Sequence, residues 1–234
     1  MNTSRFITGL SLLLGLAGCR LGYNSSGNRH YFDSWNEGNG HHHDLVTEGP
    51  GFRVLKGGSY AVSPQAVFFE GTPLPGADPA AFSAVSRYYG KDKSMVFYEH
   101  KPIVGADAAT FEFVRRLEWA RDKNDYYFQD RPLHVADRAS FAFMKDDSWQ
   151  HDRQQVYHMG WVLPQADPAT FQLLQDDYAR DQHHVYYGSQ LIEGADLATF
   201  HVDRSNGCRV CAADKNNFYV SGFRKEPSPA PKTE

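Results

Sequence analysis

The stretch Ala106-Asp107-Ala108-Ala109-Thr110-Phe111 decides how the chain is built, because it does not stand alone. It returns, slightly altered, as Ala77-Asp78-Pro79-Ala80-Ala81-Phe82, Ala136-Asp137-Arg138-Ala139-Ser140-Phe141, Ala166-Asp167-Pro168-Ala169-Thr170-Phe171 and Ala195-Asp196-Leu197-Ala198-Thr199-Phe200. The five aspartates are 29, 30, 30 and 29 residues apart. Fixed-period self-similarity of this size marks a repeat architecture, in which each unit is too small to bury its own apolar face and must stack on its neighbours. A single reactive centre has no use for five copies of one acid.

Each stretch has the logic of a helix start. Asp78 can cap with its carboxylate, Pro79 suits the first helical position because no N–H is needed there, and Ala77 and Phe82 occupy the two ends of a hydrophobic staple. Asp167-Pro168, flanked by Ala166 and Phe171, repeats the arrangement. Asp78, Asp107, Asp137, Asp167 and Asp196 are therefore read as structural caps of a helix of one or two turns, since β-prone sequence resumes six to eight residues after each Phe.

Between these starts lie pairs of β-prone pieces around a polar turn. The second piece carries an apolar-aromatic triplet: Val67-Phe68-Phe69, Phe97 with its neighbours Val96 and Tyr98, Tyr126-Tyr127-Phe128, Val156-Tyr157-His158, Val185-Tyr186-Tyr187 and Phe218-Tyr219-Val220. Adjacent strand positions face opposite ways, so both faces of these strands should be covered by other units. The predicted fold is mostly β with short helical turns, built as tandem hairpin repeats of about thirty residues in an open array or β-solenoid. A closed propeller-like ring is the alternative, because a period alone does not distinguish stacking in a line from closure.

The hairpin turns read Asp92-Lys93-Ser94, Asp122-Lys123-Asn124, Asp152-Arg153-Gln154, Asp181-Gln182-His183 and Asp214-Lys215-Asn216. An Asp that bonds the backbone two residues on, followed by a residue tolerant of positive φ, is tight-turn chemistry. Calcium loops gather several carboxylates, whereas these turns offer one acid beside a Lys or Arg in four of five cases, so no metal is assigned. Asp122-Lys123-Asn124-Asp125-Tyr126-Tyr127 and Asp214-Lys215-Asn216-Asn217-Phe218-Tyr219 resemble the DKNYY repeat family of bacterial proteins. The resemblance runs from Tyr60 to about Phe223, with departures at Ser63-Pro64-Gln65 and at His158. Members are often lipoproteins or secreted proteins, and the resemblance implies no activity.

The first residues carry an address. Arg5 supplies a positive start, Phe6 to Leu16 an apolar run, and Leu16-Ala17-Gly18-Cys19 resembles a bacterial lipobox. The apolar run of eleven residues is shorter than the roughly 20 that a membrane-crossing helix needs. Residues 1–18 are read as a lipoprotein signal peptide and Cys19 as the lipidated first residue of the mature chain. A diacylglycerol on its sulfur and an acyl group such as palmitate on its amine would give stable anchoring, which takes more than one chain. Arg20 in place of Asp after the cysteine points to the outer membrane if the cell is Gram-negative. Residues 19–57, rich in Gly, Asn, Ser and His, read as a flexible tether with a possible degenerate repeat around Tyr23 and Tyr31-Phe32. Residues 58–224 form the repeat domain, five units plus a terminal half-unit at Asp214, and the proline-rich residues 225–234 a disordered tail.

Of 234 residues, 24 are Lys or Arg and 28 Asp or Glu, with the two signs interspersed, so nucleic acid is not an expected partner. Cys208 and Cys211 are the thiols left after Cys19 is lipidated, and in an oxidising envelope they should join in a disulfide. The flanking Asn206-Gly207 and Ala212-Ala213 fit neither a thioredoxin-like redox site nor, with Ala212 where His is required, haem attachment. His41-His42-His43 could bind a transition metal, but on a flexible tether it reads as solvated linker. No Gly-x-Ser-x-Gly, His-Glu-x-x-His or phosphate-binding glycine loop is present, and no enzyme or cofactor is expected. The expected function is a non-catalytic, lipid-anchored scaffold whose hairpin edges bind an envelope protein or glycan. An immunity protein that neutralises a toxin is the alternative, and a wall-acting hydrolase, which would need two acids converging in one cleft, a more distant one.

Overall fold

The structure, a computed structural model, describes residues 21–115, 118–204, 208 and 210–225. Every regular element among them is a strand, and all pairing is antiparallel between sequence neighbours. The chain divides into two compact units, residues 1–80 and 81–234. Cys19, the signal segment and the tail after Lys225 lie outside the described residues.

The first unit opens with a three-stranded meander, β1 (Gly22–Ser26), β2 (Arg29–Asn36) and β3 (Gly40–Glu48). This corrects the reading of residues 20–57 as a tether. The glycines and asparagines that suggested flexibility are turn residues: Gly27 and Gly40 adopt φ of 60° and 76°, and the Asn39 N–H donates to Asn36 Oδ1 over 2.8 Å. Tight hairpin turns and flexible linkers draw on the same residue types. On one face Tyr23 packs against Phe32 and Phe52, and His30 stacks on Phe52 at 4.3 Å.

A four-stranded sheet spanning residues 53–73 completes this unit. Tyr23 joins it to the meander: its hydroxyl donates to the Ser59 carbonyl over 3.2 Å and accepts from the Gly71 N–H over 2.9 Å. The degenerate repeat glimpsed at Tyr23 is thus a genuine packing partner, with an aromatic first strand that holds the next sheet.

The second unit contains five further four-stranded sheets, spanning residues 83–102, 112–132, 142–162, 172–191 and 201–225. The last corrects the expectation of a half-unit. Its four strands are complete, and the longer connection between residues 202 and 211 obscured the first of them in the sequence.

Each core lies between consecutive sheets rather than within one. Phe111, in the connecting turn, packs against Tyr89 of the sheet before it and Tyr127 of the sheet after it, at 5.3 and 5.5 Å between ring centres. Phe171 does the same for Trp149 and Tyr186, and Phe200 for Tyr178 and Tyr219. The triplets are covered on both faces: Val156 and Tyr157 are both buried, as are Val96 and Phe97. A single sheet of such short strands could not bury these rings, which is why the units occur in series.

The expected short helix is not formed; a single hydrogen-bonded turn stands in its place. The Asp107 carbonyl accepts from the N–H groups of Thr110 and Phe111 at 3.2 and 3.0 Å, and Asp196 repeats this with Thr199 and Phe200. After that single turn the chain extends into the next strand.

Candidate functional site

The ten recurring aspartates fall into two sets with different neighbours. Those in the connecting turns accept the N–H of a residue two or three positions on: Ala80 for Asp78, Thr110 for Asp107, Ala139 for Asp137, Ala169 for Asp167 and Thr199 for Asp196, at 2.9–3.1 Å. Their second oxygens meet the residue after the following hairpin-turn aspartate. Lys123 reaches Asp107 at 2.7 Å, Arg153 reaches Asp137 at 2.7 Å, Gln182 reaches Asp167 at 2.8 Å and Lys215 reaches Asp196 at 2.8 Å. The hydrogen bond from Lys123 lowers the Asp107 carboxyl to about 2.

The hairpin-turn set is buried. Asp122 Oδ1 accepts the N–H groups of Asn124 and Asp125, while Oδ2 accepts the Asp107 N–H at 2.6 Å and the Tyr127 hydroxyl at 2.8 Å. Asp152, Asp181 and Asp214 repeat the pattern with Tyr157, Tyr186 and Tyr219, and with the N–H groups of Asp137, Asp167 and Asp196. Asp92 accepts from Ser94 and Met95 in the same way. Burial by itself raises each of the four carboxyls from Asp122 to Asp214, but the donors around it win, and all four are held below the usual aspartate value. Four donors on two oxygens satisfy the charge that burial would otherwise make costly.

The sequence Asp-Lys-Asn-x-x-Tyr therefore reads as a clamp. The Asp collects donors, the Lys pairs with the aspartate of the connecting turn, the Asn turns the chain, and the Tyr returns to the Asp from the second strand. One oxygen network ties each hairpin tip to the connection leading into its sheet.

A second recurring device was missed in the sequence. The aromatic that opens the second strand of a sheet reaches forward to the backbone of the next one. The Tyr89 hydroxyl lies 2.8 Å from the carbonyls of Glu118 and Gln129, Trp119 Nε1 donates to Asp147 O at 3.0 Å, and Tyr178 donates to Val210 O and accepts from the Gly222 N–H. The signal was available, since Tyr60, Tyr89, Trp119, Trp149 and Tyr178 recur at the repeat period. In the last sheet Cys211 occupies that position and is joined to Cys208 in a disulfide.

Among the described residues no group of three His, Cys, Asp or Glu side chains converges as a metal site. His41, His42 and His43 follow one another along β3, so neighbours face opposite sides; His43 binds Asp33 and stacks on Tyr31, while His42 lies 3.1 Å from Asn36. His183 and His184 donate their N–H groups to Asp181.

A groove of about 950 Å³ crosses the last three sheets. Leu173, Leu174, Phe200 and Val202 supply apolar walls, and Lys145 and Arg180 add cations. Arg180 is distinctive for its position. At the equivalent place Lys91 donates to the carbonyls of Ala108 and Phe111, and Arg121 pairs with Glu112 at 2.6 Å. The Arg180 guanidinium has no such partner among the described residues and faces the groove. An apolar trough of this volume with a few polar groups is the usual form of a binding site. No sequence signal marked it, because beside the recurring Phe200 its walls are Leu173, Leu174 and Val202, which vary from unit to unit.

These features define a class: an all-β protein of tandem hairpin sheets, the last four of them clamped by an Asp–Tyr network. The chain belongs to the DKNYY family, whose model matches residues 60–176 and again 89–222. No curated protein and no solved structure matches the chain.

Proposed function

We propose that the protein is a non-catalytic scaffold, anchored in the bacterial cell envelope through lipid on Cys19, that binds an envelope protein or glycan along the edges of its hairpins. The observation that carries the binding part is the groove at Leu173, Leu174, Phe200 and Val202, with Arg180 unpaired at its wall. A non-catalytic role is supported by the aspartates: the four buried ones from Asp122 to Asp214 each engage both oxygens in holding backbone and tyrosine. The anchor is supported by Leu16-Ala17-Gly18-Cys19 and its apolar lead.

A photo-crosslinking side chain placed at Leu174, in cells carrying the full chain, tests the binding reading. Crosslinks at Leu174 that are lost with Arg180→Glu, and absent from the exposed Val104 in the turn after residues 101–102, are the expected result. A single stoichiometric protein would select the toxin-neutralising form, and several proteins or wall glycan the general scaffold. Crosslinking no stronger at Leu174 than at Val104 would contradict the reading. Cys19→Ser should move the protein from the membrane to the soluble fraction, and unchanged membrane association would remove the anchor.

A further inference from the structure

We infer that the outer face of the N-terminal meander lies against the lipid surface, so that the folded body begins at the membrane instead of standing away from it. This rests on the lipid anchor at Cys19 and deepens that reading. The register places Tyr31 opposite Leu45, Asp33 opposite His43 and Trp35 opposite His41. Strand alternation puts these three pairs on one face, turned away from the Tyr23, His30, Phe32 and Phe52 packing. Trp35 is 58% exposed and Leu45 53%.

The composition of this face suits the boundary between headgroups and acyl chains. Trp and Tyr, with an apolar body and a polar edge, concentrate there. Both acids on the face are paired: Asp33 is engaged by His43 and Asn24, and Glu48, opposite Arg29, lies 2.8 Å from its guanidinium.

The position of the chain entry selects the membrane over other occupants. Gly22 pairs with Asp33, so residues before Gly22 run toward the end of the meander where Trp35 stands. Only Arg20 and Leu21 separate Cys19 from β1. The three Cα steps from Cys19 to Gly22 span at most about 11 Å, which is shorter than the meander strands themselves. A lipidated Cys19 therefore holds the Trp35 end within reach of the interface.

The test uses the full lipidated chain reconstituted in phosphatidylethanolamine–phosphatidylglycerol vesicles whose acyl chains are brominated near the headgroup. Trp119 and Trp149 are buried and serve as internal references. The expected result is bromine quenching of wild-type fluorescence that disappears in Trp35→Phe, and that falls roughly twofold or more in Leu45→Glu, where a charge opposes interfacial seating. Both variants should remain on the vesicles through their lipid. Vesicle-bound protein with the same quenching in wild type and Trp35→Phe would overturn the inference and leave the anchor intact. Protein that does not co-sediment with vesicles, with or without Cys19→Ser, would remove the anchor reading and the inference with it.

Discussion

The Tyr157 hydroxyl donates to Asp152 Oδ2 over 2.8 Å, and the N–H of Asp137, fifteen residues upstream, reaches the same oxygen over 3.0 Å. One carboxylate oxygen thus joins the second strand of a hairpin to the connection that delivers the chain into its sheet. Asp152 is 1% exposed, so water cannot replace either donor. Asp152→Asn keeps an acceptor for the turn but presents an amide to two donors, and should cost about 2–4 kcal/mol. Tyr157→Phe removes the bond to Asp152 and the acceptor of the Ala136 N–H, and should cost about 1–3 kcal/mol. Urea unfolding of both variants checks the order, and equal stability of Asp152→Asn and wild type would contradict it.

Two glycines separate backbone conformation from crowding. Gly105 and Gly222 both have positive φ, 84° and 77°. A Cβ on Gly105 would meet open space, whereas one on Gly222 would lie 2.6 Å from Tyr187 Cβ on the preceding sheet. Gly105→Ala should cost about 1 kcal/mol from the left-handed conformation alone. Gly222→Ala should cost more than about 2 kcal/mol, because rigid atoms of the sheet stack must move. Thermal unfolding of the pair measures the difference, and equal losses would mean the sheets do not approach as described.

The disulfide closes the end of the array. Cys211 sits where the other sheets place a forward-reaching aromatic, and the neighbouring Val210 carbonyl accepts from Tyr178. Replacing both Cys208 and Cys211 by Ser should cost about 2 kcal/mol on the chain-entropy account of a short loop. Hydrogen exchange should quicken at Gly222, whose N–H binds Tyr178, while the sheet at residues 83–102 keeps its protection. Exchange unchanged at Gly222 would separate the disulfide from the Tyr178 tie.

Acid should destabilise the protein in a defined direction. Asp107, Asp122, Asp137, Asp152, Asp167, Asp181, Asp196 and Asp214 are all lowered in the folded state, Asp107 to about 2. Groups with depressed folded values contribute stability that is complete above the unfolded value near pH 4 and is lost as pH falls through the folded values. Urea midpoints should therefore hold from about pH 7 to 5 and drop steadily below about 4. A midpoint that rises on acidification would contradict the assignment of these carboxylates as charged and bonded.

The period, the aromatic triplets and the one-turn connections were legible in the sequence because each depends on neighbours close in the chain. Asp107 and Thr110 are three residues apart, and their bond follows from turn geometry. What lay beyond reach was longer in range. That Asp122 gathers the N–H of Asp107, or that Tyr89 reaches Glu118 and Gln129, requires knowing how sheets stack, although recurrence of both residue types gave a hint. Residues 20–57 were misread because Gly27, Asn36 and Gly40 serve hairpin turns with the same chemistry that makes linkers flexible. The groove around Arg180 combines the recurring Phe200 with Leu173, Leu174 and Val202, side chains that vary between copies, so the repeat pattern alone did not single it out.

The central claim is that the buried hairpin-turn aspartates stay charged, with their oxygens committed to backbone and tyrosine. Carboxyl carbon-13 NMR, followed against pH with assigned aspartates, tests it most directly. Asp122, Asp152, Asp181 and Asp214 should each titrate below the ordinary aspartate value near 4. Titration of any of the four at or above that value would show a carboxyl that is not held by these donors, and the clamp that orders the repeats would fail with it.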